Sequence, residues 1–146
     1  MIANERIQLR GNFLIRVFKN GKLINKYSDH NMIVNLAKES LSKLVAGEGS
    51  NKQITKIALG TDGAIPTPSD EIIKNPYVKN IDGFSYPTSG QVKFNWSIAS
   101  SEANGMSILE FGLMSEDGTL FARKIRNEAL AKENDISIEG EWTIVF

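Results

Sequence analysis

His30 is the only histidine of the 146-residue chain, and there is no cysteine. Together these exclude thiol catalysis, two-histidine mechanisms, disulfide scaffolds and the common structural zinc sites. His30 lies in Ser28-Asp29-His30-Asn31 and reads as a surface residue of a polar connection. The best stretch for metal chemistry is Gly60-Thr61-Asp62-Gly63, followed by Asp70 and Glu71. Three carboxylates at that spacing suit calcium, but the EF-hand order is absent and Asp-Gly is common turn chemistry. A turn followed by a helix cap is therefore the expectation. No Gly-x-Ser-x-Gly, Walker loop, dinucleotide glycine pattern or His-Glu-x-x-His occurs. The chain thus reads as a non-enzyme, with no catalytic, metal-ligating or cofactor-binding residue assigned and no cofactor expected.

Side chains suited to contact, not catalysis, stand out in two places. Tyr77, Phe84 and Tyr86 lie in a stretch bounded by Pro76 and Pro87, where exposed rings would form a contact or sugar-stacking surface. Arg6, Arg10 and Arg16 share one parity of the first strand and form a candidate basic face. No nucleic-acid partner is expected, because the motif vocabulary is missing and 17 basic residues are balanced by 17 acidic ones. No membrane partner is expected either, since no run approaches the ~18 apolar residues of a span. The N-terminus, Met1-Ile2-Ala3-Asn4-Glu5-Arg6, lacks a signal-peptide core. Charge is polarised along the chain: residues 1–60 carry ten Lys/Arg and four Asp/Glu, residues 61–146 seven and thirteen. That polarity predicts cross-strand pairing of early with late strands, or else a basic and an acidic face suited to head-to-tail contact, with Arg6/Arg10/Arg16 opposite Glu139/Glu141.

These side chains must be carried by strands. Ile7, Leu9, Phe13, Ile15 and Val17 alternate with polar residues, as do Val92–Ile98 and Ile136–Phe146. Asn20-Gly21, Asp82-Gly83, Asn104-Gly105 and Asp117-Gly118 are hairpin dipeptides. They predict strands over Lys22–Tyr27, Ile108–Met114 and Thr119–Ile125, among others. Ile108–Met114 is apolar on both parities, so it is expected to be covered on both sides. Asn35–Ala46 instead has helical periodicity, with Leu36, Ala37, Leu41, Leu44 and Val45 on one face, Asn35 as N-cap and Gly47 closing the end. A second short helix is expected at Thr67-Pro68-Ser69-Asp70. Residues 1–146 read as a single β-rich domain: an antiparallel β-sandwich of about seven or eight strands with one amphipathic helix after the first hairpin, a small barrel being second choice. The expected core is Phe13, Ile15, Val17, Phe94, Trp96, Leu109, Phe111, Leu113, Trp142 and Ile144, with Leu41 and Leu44 from the helix.

In order, the chain carries Phe13–Lys22, Asn31–Asn35, Ile54–Gly63 with Pro66–Asp70, Ser101–Gly105, Glu110-Phe111-Gly112-Leu113, Asp117–Lys124 and Ile138–Ile144. This order resembles small tail-associated proteins of tailed bacteriophages and prophages, from the tail-fibre and baseplate region. Gly-Thr-Asp-Gly … Pro-Ser-Asp and Glu-Phe-Gly-Leu … Asp-Gly-Thr-Leu-Phe-Ala-Arg carry most of the likeness, which runs from Phe13 to Phe146. The resemblance implies a structural virion part that contacts other tail proteins, copies of itself, or both. Its place would be the tail of the virion, and the bacterial cytoplasm during assembly. The alternative is a tail module that binds a host receptor or surface glycan through Tyr77, Phe84 and Tyr86.

Overall fold

Alternation sets the inward faces. Phe13, Ile15 and Val17 are buried while Arg10, Asn12 and Arg16 face outward, as period two requires. The computed structural model describes residues 8–146, so Arg6 lies outside the described residues. The elements are β1 (Arg10–Lys19), β2 (Lys22–Ile33), α1 (Asn35–Val45), β3 (Ile54–Gly60), β4 (Tyr77–Asn80), β5 (Gly83–Ser85), β6 (Gln91–Ile98), β7 (Met106–Ser115), β8 (Leu120–Lys132) and β9 (Ile136–Val145). All neighbouring strands are antiparallel, in the order β4-β3-β7-β8-β2-β1-β9-β6-β5. The fold is mainly β, as expected, with one helix and nine strands among the described residues.

The sheet curls into a half-barrel. β4 and β5 belong to opposite edges, yet only Ile81 and Asp82 separate them. Ile81 N–H donates to Thr55 O on one edge, and Asp82 N–H donates to Asn95 O on the other. Asp82-Gly83 is therefore no hairpin; it carries the chain across the seam. Asn104-Gly105 likewise ends a loop from β6 to β7, strands that do not pair. Asn20-Gly21, with φ of 50° and 77°, is the tight hairpin turn its sequence demands.

Inside the curl, Phe13 packs edge-on against Trp142 at 4.9 Å and lies 5.0 Å from Phe111. Trp96 sits 5.6 Å from Phe111, on the flat bed left by Gly140, where a Cβ would overlap the indole. Of the expected core, only three residues are not fully enclosed. Leu109 is half-buried because a bulge between Ile108 and Glu110 resets the parity, turning Ile108 and Phe111 inward together. Leu41 is half-buried and Leu44 exposed, because α1 buries its small residues, Ala37 and Ser40. Val45, at 88% exposed, lies outside the packed stripe too.

β7 is covered on both faces, as its double-sided apolarity predicts. Its outer side meets a second cluster of Val34, Ala58, Ile73 and Leu120, closed by α1 and by the loop from Gly60 to Pro76. Several local expectations fail. β2 runs through His30 to Ile33 instead of ending near Tyr27, because Asn12 and His30 are register partners. The N-cap of α1 is the buried Val34, which makes no side-chain cap; Asn35 N–H donates instead to Pro68 O at 2.7 Å. Gly47, at φ 78°, does end the helix. Thr67–Asp70 is a turn, not a helix. The capping bonds Thr67 N–H to Asp70 Oδ2 and Thr67 Oγ1 to Asp70 Oδ1 both form, but Asp70 is also committed to Arg123.

Candidate functional site

The residues that carry the resemblance converge on one buried guanidinium. Arg123, from β8, and Glu110, from the adjacent β7, are 3% and 0% exposed. Arg123 Nε donates to Glu110 Oε2 at 2.7 Å, and its Nη1 donates to Asp70 Oδ2 at 3.0 Å and Ala64 O at 2.9 Å. Nη2 donates to Asp62 O at 2.9 Å. Glu110 Oε1 in turn accepts the Lys74 N–H at 2.7 Å and the Asp62 N–H at 3.2 Å. The pair therefore fastens both arms of the Gly60–Pro76 loop to the sheet. Gly60 and Gly112 make room for it: a Cβ at the first would strike Glu110 and Ile73, and at the second Ile73. Burial raises the pKa of Asp70, but the hydrogen bonds from Thr67 and Arg123 outweigh it and the net direction is down.

This arrangement binds the protein to itself. Asp62 and Asp70, two of the three carboxylates weighed for calcium, serve Arg123, and Glu71 is exposed. Among the described residues no group of three or more His, Asp or Glu is placed to hold a metal ion. His30 is exposed and shares a 2.9 Å hydrogen bond between Nδ1 and Asn12 Oδ1.

The candidate contact residues separate. Phe84 and Tyr86 are 60% and 74% exposed, their rings edge-to-face at 5.9 Å. Tyr77 is half-buried on the other edge strand, and its hydroxyl donates to Glu102 Oε2 at 2.9 Å. Arg10 is exposed at the start of β1. Arg16 faces Glu139 in register and lies 3.8 Å from Glu141 on neighbouring β9, which also has Lys93 at 3.9 Å. The early basic and late acidic strands are thus adjacent, and these charges are screened within one sheet face.

Two further buried or tethered ionic groups, like the Arg123–Glu110 pair, escaped the sequence reading. Lys132 is fully buried, and its Nζ donates to Ser100 O, Asn104 Oδ1 and Glu133 O. Burial pushes its amine pKa down. Glu102 accepts from Lys79 Nζ at 2.8 Å, from the Ala99 N–H at 2.9 Å and from Tyr77. The Lys79 bond, then the Ala99 bond, draw its pKa from 4.5 to about 2. A depressed carboxylate stabilises the fold above its unfolded value and stops doing so as pH falls through its folded value. The urea midpoint should therefore drop between about pH 4.5 and 2. Glu102→Gln should flatten that decline; an unchanged slope would show that Glu102 does not tie the loop to β4.

No helix among the described residues is long and apolar enough to cross a membrane. No family model matches the chain, and no curated protein or solved structure matches it either.

Proposed function

We propose that this chain is a non-enzymatic structural component of a phage or prophage tail, acting through protein–protein contacts. The observation that carries the reading is the staple at Arg123. It spends Gly60, Asp62, Asp70, Glu110, Gly112 and Arg123 on holding one loop rigid, and that loop turns Ile65 and Ile72 outward at 82% and 75% exposure. Aliphatic side chains held in place on a rigid loop lose little freedom on docking, which favours a contact element. The test is induction of a lysogen that encodes an epitope-tagged copy, followed by gradient purification of the particles. The chain should co-sediment with tails at fixed stoichiometry; its absence from particles made in normal yield would overturn the assignment.

A second reading rests on the Phe84–Tyr86 pair, whose exposed rings suit stacking on a host surface glycan. A glycan array would show binding that Phe84→Ala and Tyr86→Ala each abolish. An array with no signal for the wild type removes this reading.

A further inference from the structure

We propose that copies of this chain join head to tail, the β1–β2 hairpin tip of one docking into the groove between α1 and the Ile72 segment of the next. The inference rests on reading the chain as an assembly part, and names the partner as a second copy. Leu23 and Ile24, next to the tip, are 51% and 55% exposed. They are flanked by Lys22 and Lys26, which enter no ion pair among the described residues. The groove has a volume of about 280 Å³, and its lining includes Leu36 and Ile72 together with Glu39, Glu71 and Lys43. Glu39, Glu71 and Lys43 likewise enter no ion pair among the described residues, so the uncommitted charge of the groove sums to −1 against +2 at the tip, around apolar centres.

The two surfaces lie at opposite ends of the molecule. Asn20 N–H donates to Asp135 O, which sets the tip beside the C-terminal end of β8. Asp117, Gly118 and Thr119, just before β8 begins, line the groove. The paired stretch of β7, Met106–Met114, covers the length of the bulged β8 and spans about 27 Å. Complementary patches at two ends make a heterologous contact, which closes into a ring or continues as a filament.

The tip offers side chains, not a free ladder. β2 pairs with β8 only at Met32 and Ile33, which leaves its edge open from the tip to Asn31. That edge is defended: the register shift near Ile24 makes a bulge, and Asp29 Oδ1 accepts the His30 N–H at 2.8 Å. Strand addition is thereby disfavoured along the length of β2, and docking falls to Leu23 and Ile24.

Sedimentation equilibrium over a concentration series tests the proposal. Wild type should associate, at least tenfold more weakly when salt rises from about 50 to about 500 mM. Leu23→Glu/Ile24→Glu and Glu71→Lys/Ile72→Lys should each be monomeric with unchanged circular dichroism. If either pair perturbs the fold, Leu23→Ser/Ile24→Ser and Ile72→Ser replace them. Mixed in equal amounts, a tip variant and a groove variant should form a 1:1 dimer that grows no further, since one intact tip meets one intact groove. A wild type that is monomeric at every concentration and salt overturns the proposal, as does a mixture that stays monomeric. A monomer that still co-purifies with tail particles would sink self-docking alone and leave the tail assignment standing.

Discussion

Arg123→Met should lower the unfolding free energy by about 3–5 kcal/mol, the cost typical of removing one partner from a buried ion pair. The loss arises less from missing attraction than from what remains. Glu110 is 0% exposed and would keep a carboxylate in the interior with only two backbone N–H donors. The carbonyls of Asp62 and Ala64 lose their donors as well. Arg123→Lys keeps the charge but not the planar fork that reaches Glu110, Asp70 and two carbonyls together, so it should fall between wild type and methionine. In a double-mutant cycle with Glu110→Met, the second substitution should cost far less in the Arg123→Met background than alone. Limited proteolysis should cut within residues 61–76 in Arg123→Met well before wild type. A loss under about 1 kcal/mol with no new cleavage would mean that the loop is held by Ile73 instead.

Trp142→Ala should cost about 3–5 kcal/mol, as large-to-small changes in packed cores do. Trp142 is 0% exposed, meets Phe13 edge-on, and its Nε1 donates to Asn31 Oδ1 at 2.9 Å. A finer comparison uses phenylalanine at both tryptophans. Trp142→Phe strands the Asn31 side-chain oxygen, whereas Trp96→Phe removes a buried N–H that has no partner among the described residues. Both lose ring volume, so the difference isolates the polar group: Trp142→Phe should be the more damaging by about 1–3 kcal/mol. Equal losses, measured by urea unfolding, would show that the Trp96 N–H is not an orphan.

The inward faces of β1, β6 and β9 were legible because strict alternation over five or more residues admits one burial pattern. Leu109 was misread because the bulge beside it leaves no mark in composition, and one extra residue inverts the parity of everything before it. Asp82-Gly83 looked like a hairpin because turn chemistry is local, while the choice of partner strand is decided by distant residues. The staple left a usable trace: Glu110 in a strand apolar on both faces requires a buried cation, and Arg123 follows Leu120-Phe121-Ala122 across the next turn. The hairpin tip left none, since Leu23 and Ile24 continue an apolar pattern that only the end of the neighbouring strands exposes.

β9, the last strand of the described chain, lies between β1 and β6 in the interior of the sheet. During synthesis the first hairpin and β6 must therefore wait, with Phe13 and Trp96 uncovered, until Ile136–Val145 has left the ribosome. Folding cannot advance as a growing N-terminal unit; it completes in one late step, when β9 fills the gap. A nascent chain stalled before Ile136 would offer chaperones two unsatisfied edges and an open aromatic core, and its rescue would depend on resuming synthesis.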